Sequence, residues 1–249
     1  MHSPLIRHQS LRHFSIKAFQ RVAAIRSQDP EAFVRFERQG EKSGRVTYKK
    51  FGRGSRTACL IERGSQVLMV AHVDTVLEPR KEAEIFADRL FHNAIDNRLG
   101  VYLGLAVLPA MGLNVDLLLT RGEEDGASSA AMFRPQKQYR WMFSFDRRGD
   151  DVVCYQYECA SLAMALGLAG FTVSDGRYSC IAELEHLGCC GMNFGCGMFN
   201  YHSDDAYCDL AMLEGQLRRF TAFYNLYARL HLPHRRALEG GVEPGLQRI

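Results

Sequence analysis

The chain has 249 residues, of which 47% are hydrophobic and 24% are charged, and this composition excludes an intrinsically disordered protein. No stretch approaches the roughly 20 apolar residues that a membrane-spanning helix needs. The basic start of the chain lacks the apolar core of a secretory signal. We therefore expect a cytoplasmic protein without a membrane partner. None of the eight cysteines stands in a Cys-x-x-Cys pair, which favours reduced thiols over a cysteine-rich structural zinc site.

Charge is distributed unevenly along the chain. Residues 1–64 contain 14 Lys and Arg against 5 Asp and Glu, whereas residues 65–249 contain 17 against 23. The basic part would suit an anionic partner such as a nucleic acid. However, no block of five like charges occurs, and basic side chains commonly solvate exposed helices and hairpins. Solvation is therefore the favoured interpretation, and we do not expect nucleic-acid binding.

The first 62 residues predict two helices followed by a hairpin. Apolar side chains recur at helical spacing over residues 10–27. Asp29-Pro30 and Gly40 are the start and stop signals of a second helix. The β-rich segments 45–51 and 57–62 flank a glycine-containing turn and are predicted to be strands.

From residue 67 onwards, predicted strands alternate with predicted helices. Residues 67–73 are apolar apart from His72, as expected of a strand that is covered on both faces of its sheet. The alternation predicts an α/β protein with helices packed on both sides of a sheet. The remaining elements, in chain order, are a strand at 85–91, a helix at 98–108, a strand at 116–120, a short helix at 127–133, strands at 141–145 and 152–157, a helix at 160–168, a strand at 189–196 and a helix at 209–230.

Histidines and acidic residues recur where the predicted strands end, which is the edge of an α/β sheet where ligands bind. Carboxylates gathered at such an edge would repel one another, and a divalent cation would remove that penalty. Imidazoles combined with carboxylates suit zinc, cobalt or manganese. The residues concerned are His72, Asp74, Asp96, Glu123, Glu124, Asp146 and His202.

Two local spacings fit this chemistry. His72 and Asp74 are two residues apart in an extended segment and point to the same side, so Asp74 can accept the second N–H of the imidazole. Glu123 and Glu124 are adjacent and diverge in an extended loop, so one can bind metal while the other acts as a general base. Each pattern alone more often belongs to a structural or solvated residue. The order and placement of all of them together support a metal site.

Taken in order, five segments resemble the co-catalytic di-zinc exopeptidases, a superfamily that includes bacterial aminopeptidases, glutamate-carboxypeptidase-like enzymes and aminoacylases. The resemblance covers about residues 45–230. The segments are His72-Val73-Asp74-Thr75-Val76, Asn93-Ala94-Ile95-Asp96-Asn97-Arg98-Leu99-Gly100, Thr120-Arg121-Gly122-Glu123-Glu124-Asp125-Gly126, Asp146-Arg147-Arg148-Gly149 and Tyr201-His202-Ser203-Asp204-Asp205.

The resemblance implies a role for each of the seven polar residues. His72 and Asp146 would bind one zinc ion, and Glu124 and His202 would bind the other. Asp96 would bridge the two ions. Glu123 would be the general base, and Asp74 would support His72. The resemblance also implies a three-layer α/β/α sandwich with a mixed, mostly parallel central sheet.

Many two-domain members of this superfamily carry an inserted lid or dimerisation domain, for which this chain has no room. Asp146 and His202 are only 56 residues apart, and His72 and Asp96 only 24. We therefore expect N-terminal helices at 1–44, packed on a catalytic domain at 45–232, and a C-terminal tail at 233–249. Substrate-binding groups that a lid would supply must then come from loops or from a neighbouring chain of a homo-oligomer, or they are missing.

The favoured function is that of a di-zinc aminopeptidase that uses a metal-bridging water and Glu123 as the general base. A carboxypeptidase or an N-acyl-amino-acid deacylase with the same metal centre is an alternative, in which Arg147 or Arg148 would bind a substrate carboxylate. The partner in each case is a small peptide or an N-acyl amino acid. A non-catalytic binding module with the same fold is a further alternative, against which the intact Glu123 argues.

Overall fold

The computed structural model describes residues 11–38 and 47–234. The predicted end of the second helix at Gly40, the first two residues of the strand at 45–51 and most of the tail at 233–249 lie outside these ranges. None of the helices within them combines the length and the apolar character needed to cross a membrane.

Within the described residues, ten strands form one mixed sheet. They are β1 (Thr47–Phe51), β2 (Ala58–Glu62), β3 (Val67–His72), β4 (Glu84–Phe86), β5 (Arg89–Phe91), β6 (Asp116–Thr120), β7 (Trp141–Arg148), β8 (Val152–Val153), β9 (Gly191–Phe199) and β10 (Tyr207–Asp209). Their spatial order is β1-β2-β6-β3-β7-β9-β10-β5-β4, and β8 pairs with β9. The central strands β6, β3, β7 and β9 are parallel, whereas the flanking strands pair antiparallel. The predicted α/β class with a mixed, mostly parallel central sheet is confirmed.

Helices and 3-10 segments connect the strands. The helices are α1 (Ile16–Ala23), α2 (Pro30–Arg38), α3 (Ile95–Tyr102), α4 (Leu108–Ala110), α5 (Ala160–Leu168) and α6 (Leu210–Tyr227). A π-helical stretch, Leu103–Val107, joins α3 to α4. The 3-10 segments are Gly54–Arg56, Ser129–Met132, Tyr155–Tyr157 and Cys180–Leu187. Side chains cap the N-termini of α1, α2 and α6, since Ser15 accepts from the Ala18 N–H, Asp29 from the Glu31 N–H and Asp209 from the Met212 N–H.

The two faces of the sheet are covered by different kinds of element. Alternate residues of β7 point to one face, where the rings of Phe143 and Phe145 lie 4.5 and 5.0 Å from the ring of Phe220 in α6. Met142 points to the opposite face, where Ile181 of the segment Cys180–Leu187 packs above Gly191. One outer layer is therefore helical, while 3-10 turns contribute to the other.

The N-terminal helix packs against α3. The backbone N–H of Ser15 donates to the Tyr102 hydroxyl at 2.8 Å, and the rings of Phe14 and Tyr102 meet edge to face at 5.1 Å. The division of the chain at residues 44 and 232 stays a prediction.

Several predicted elements differ from the observed ones. The strand predicted at 85–91 is wrong, because Ala87 and Asp88 adopt left-handed φ values of 48° and 59° and turn the chain into the hairpin β4–β5. The strand predicted at 152–157 ends after two residues and continues as a 3-10 turn. Of the helix predicted at 10–27, the described residues 11–27 form an α-helix over Ile16–Ala23 alone. The helix predicted at 127–133 is a 3-10 turn, Ser129–Met132, in which the Ser128 side chain accepts the Ala130 N–H.

The sequence patterns also missed two elements. β10 has three residues, too few for a periodic signal, and it is a strand because β5 and β9 pair with it on either side. The 3-10 segment Cys180–Leu187 contains a kink at Leu184, which disrupts regular helical spacing.

Gly100 allows α3 to approach β7 closely. A Cβ atom at this position would lie 2.5 Å from the Phe145 carbonyl oxygen, whereas a Cβ on Gly167 in α5 would meet nothing within 4 Å. We expect Gly100→Ala to lower the free energy of unfolding by about 1–3 kcal/mol, because overpacking forces the backbone apart. The matched control Gly167→Ala should raise it by up to about 1 kcal/mol. Urea denaturation of both variants tests this, and equal effects would contradict the close approach at Gly100.

Candidate metal centre

The topology of the sheet brings the predicted polar residues to one edge. The carboxyl ends of the neighbouring parallel strands β6, β3 and β7 all lie there. His72 is the last residue of β3, and Glu123 and Glu124 follow β6. Asp146 was predicted at a strand end but lies inside β7, which extends to Arg148.

Two further elements complete the cluster. Asp96 lies in the first turn of α3, where it and the following residue Asn97 have non-helical backbone angles. His202 lies in the turn between β9 and β10 and adopts a left-handed φ of 64°. The structure therefore brings together all seven residues that the sequence predicted, from five segments of the chain.

His72 is at the centre of the cluster and is only 1% exposed. Its Nε2 atom lies 3.2 Å from Asp96 Oδ1, 3.3 Å from Asp146 Oδ1 and 3.8 Å from Glu123 Oε2. One imidazole nitrogen thus faces three carboxylates, an arrangement that protein-only hydrogen bonding cannot satisfy because this nitrogen carries at most one proton.

Asp96 lies between the two histidines. Its Oδ1 atom faces His72, and its Oδ2 atom lies 3.3 Å from Nε2 of His202. The same nitrogen of His202 lies 2.9 Å from Glu124 Oε2. The two carboxylate oxygens of Asp96 therefore face opposite halves of the cluster, which is the geometry that a bridging ligand requires.

Asp74 supports the cluster in a way that differs in detail from the prediction. Nδ1 of His72 lies 3.1 Å from the backbone carbonyl oxygen of Asp74 and 3.6 Å from its carboxylate Oδ1 atom. The other carboxylate oxygen accepts the backbone N–H of Glu124 at 3.1 Å. Asp74 thus connects His72 to the loop that carries the two glutamates.

Electrostatics oppose the full ionisation of so many buried carboxylates. Burial raises the pKa of Asp146 well above its usual range, and the negative charges of Asp96 and Glu123 add to the rise. Burial also raises the pKa of Glu124 to about 7. Burial disfavours a charged His72, but the surrounding carboxylates of Asp146, Asp74 and Asp96 together outweigh that effect and raise the pKa of the imidazole. The cluster therefore holds protons near neutral pH that a divalent cation would displace on binding.

The donor set fits a divalent cation. Four buried carboxylate oxygens in the cluster have no hydrogen-bond partner, namely Asp74 Oδ1, Asp96 Oδ1, Glu124 Oε1 and Asp146 Oδ1. Buried polar atoms are normally satisfied, so a group of unsatisfied oxygens that face two imidazoles indicates a cation site.

Two groups of residues each offer three ligand atoms that lie within 4.8 Å of one another. One group is His72, Glu123 and Asp146, and the other is His72, Asp96 and Glu124. These groups do not coincide with the predicted ligand pairs, since His72 occurs in both and His202 in neither. The pairing of ligands stays a prediction.

Asn193, in β9, is a site residue that the sequence patterns did not identify. Its side-chain oxygen accepts the Asp146 N–H at 3.1 Å, and its side-chain nitrogen donates to the Asp146 carbonyl oxygen at 3.3 Å. The available signal was that Asn193 is the only strongly polar residue in an otherwise apolar and glycine-rich strand.

An ion pair ties the turn that carries His202 to a second loop. Arg80 Nη2 lies 2.7 Å from Asp204 Oδ1, and the Arg80 backbone N–H donates to Asn93 Oδ1 at 3.0 Å. Within the turn, the Ser203 hydroxyl donates to the Asn200 carbonyl oxygen at 2.6 Å. These contacts hold His202 although its ring is 41% exposed.

The sequence matches no known family model and no curated protein. Solved structures with the same fold include aminopeptidase PepT from Bacillus cereus, which is 10% identical and has a TM-score of 0.63 over 87% of this chain and 98% of its own. A Zn-dependent exopeptidase from Parabacteroides distasonis is 11% identical, with a TM-score of 0.53 over 88% and 100%. Glutaminyl cyclase from Porphyromonas gingivalis is 12% identical, with a TM-score of 0.54 over 86% and 99%. The predicted resemblance to zinc exopeptidases is therefore confirmed at the level of the fold.

Proposed function

We propose that this chain is a metal-dependent hydrolase of amide bonds and, more specifically, a di-zinc aminopeptidase. The observation that supports this proposal is the convergence of two imidazoles and four carboxylates, with unsatisfied buried oxygens, at one edge of the sheet. His72, Asp146, Glu124 and His202 would hold two zinc ions, which cobalt or manganese could replace, and Asp96 would bridge them. When bound, such ions activate a water molecule and polarise the carbonyl group that is cleaved.

Glu123 is the residue best placed for proton transfer. Its Oε2 atom lies 3.8 Å from His72 Nε2, whereas the nearest oxygens of Asp96 and Asp146 lie 3.2 and 3.3 Å from the same nitrogen. Glu123 therefore borders the cluster and is farther from His72 than the two aspartates. In the proposed reaction, Glu123 takes a proton from the attacking water and passes it to the leaving amine. Asp74 holds His72 and the Glu124 backbone in place throughout.

Protein purified without a chelator is expected to contain about two zinc ions per chain, because two open sites with three protein ligands each are proposed. Removing the metal with a chelator should abolish hydrolysis, and zinc should restore it. Metal analysis by atomic emission checks the stoichiometry. Asp96→Ala should lose metal, whereas the matched control Asp125→Ala should not, because Asp125 is exposed and outside the cluster. A wild-type chain without bound metal would contradict the proposal.

Glu123→Gln is expected to retain both metals and to lower kcat by at least about 10²-fold, because the amide cannot accept the proton. Steady-state kinetics and metal analysis of the same preparation check this, with Asp125→Asn as the control of matched chemistry. Unchanged turnover would remove Glu123 as the base. Loss of a metal would instead make Glu123 a ligand, as one of the two observed groups of ligand atoms would suggest.

Substrate class can be decided by a panel of aminoacyl amides, dipeptides and N-acetyl amino acids. We expect cleavage of substrates with a free amino terminus. Arg147 donates to Asp151 through Nε and Nη2, which leaves exposed Arg148 as the candidate carboxylate binder of the alternative function. For an aminopeptidase, Arg148→Ala should leave KM for aminoacyl amides unchanged. Cleavage of blocked substrates only, with a KM that rises in Arg148→Ala, would assign a carboxypeptidase or a deacylase instead.

A further inference from the structure

The strand that carries Asp146 is irregular at that residue. β7 and β9 pair in a regular parallel register from Met142 opposite Gly191 to Phe145 opposite Phe194, and the register then shifts on both sides of Arg147. Asp146 has no partner residue in β9 and lies at the shift. A β-bulge of this kind re-aims a side chain at the cost of regular backbone pairing.

The side chain of Asn193 takes over the pairing that the irregular strand lacks. Its oxygen accepts the backbone N–H of Asp146, and its nitrogen donates to the backbone carbonyl of the same residue. The second hydrogen of that nitrogen is donated to the Tyr155 hydroxyl at 3.0 Å, and Tyr155 in turn donates to the Tyr178 carbonyl oxygen at 3.2 Å. Asn193 is only 2% exposed, so both of its polar atoms are committed to these contacts.

The orientation of the Asp146 carboxylate depends on this backbone contact. Asp146 Oδ1 has no hydrogen-bond partner, although it lies 3.3 Å from His72 Nε2. No hydrogen bond therefore holds this oxygen toward His72, so apart from the electrostatic attraction of the imidazole its direction depends on where the backbone places the residue. The side-chain amide of Asn193 is hydrogen-bonded to both the N–H and the carbonyl oxygen of Asp146.

We propose that Asn193 is a positioning residue for metal binding, whose amide holds the irregular backbone at Asp146 so that the carboxylate faces His72. This inference rests on the proposed function, because it assumes that Asp146 binds a cation. Changing a residue that orients a metal ligand through hydrogen bonds typically lowers the metal affinity by about 10–100-fold.

The chain offers a matched control in Ser144. This residue is opposite Asn193 in the β7–β9 pair, is two residues from Asp146 and is buried, and its hydroxyl has no hydrogen-bond partner. Removing that hydroxyl therefore changes the same part of the sheet without removing a contact to Asp146.

The test is a titration of metal-free Asn193→Ala, Ser144→Ala and wild-type protein with Co²⁺, followed by visible absorbance, and with Zn²⁺ against a chromophoric chelator. We expect wild type and Ser144→Ala to bind metal in two steps, and each step should have a similar affinity in the two proteins. In Asn193→Ala one step, that of the ion beside His72 and Asp146, should weaken by about 10–100-fold while the other is retained. Thermal unfolding of the metal-free proteins reports whether each variant is folded.

Asn193→Asp provides a second variant of the same shape in case Asn193→Ala does not fold. It keeps the oxygen that accepts the Asp146 N–H and removes the donor to the carbonyl, so the same single step should weaken by about 10-fold or more. A folded Asn193 variant with both steps unchanged, or with both weakened equally, would overturn the positioning role while leaving the proposed function intact. A wild-type chain that binds neither metal would remove the proposed function and this inference together.

Discussion

Four largely buried carboxylates that face two imidazoles impose the constraint on which the rest of the structure depends. Two imidazoles cannot neutralise Asp96, Glu123, Glu124 and Asp146, and each unpaired buried charge costs several kcal/mol. The pKa values of Asp146 and Glu124 are raised for the same reason, because binding a proton neutralises a carboxylate that lacks a cationic partner. A protein tolerates such a cluster only if the surrounding fold is stable enough to hold it and if a cation offsets the repulsion.

The fold meets the first condition through its aromatic core. Phe143 and Phe145 of β7 pack directly on Phe220 of α6, so the strand that carries Asp146 is anchored just before the metal centre. Gly100 lets α3 approach the same strand, and α3 carries Asp96. His72 and Asp146 are thus held by strands and Asp96 by a helix, whereas Asp74 and the two glutamates lie in loops that follow strands and His202 lies in a turn. Its turn relies on the ion pair between Arg80 and Asp204, and exposed pairs of this kind contribute little stability.

Much of the site could be predicted because polar residues that follow buried strands must meet at one edge of a parallel sheet. That rule brought His72, Glu124 and Asp146 together without coordinates. It could not show that His72 Nδ1 lies closer to the carbonyl oxygen of Asp74 than to its carboxylate, because both atoms belong to the same residue. Nor could it identify Asn193, whose role depends on a register shift between β7 and β9 that no local pattern encodes.

The sequence by itself determined the residue types at the metal centre, their order and the alternation of strands and helices that makes an α/β sheet. These features are local or periodic, so they can be read from neighbours along the chain. Only the tertiary structure decided that β4 and β5 form a hairpin, that the outer layer above Met142 includes 3-10 turns, and which carboxylate oxygens lack a partner. Those outcomes depend on strand register and on side-chain packing between segments that are distant in sequence, and such contacts leave no periodic trace in either segment alone.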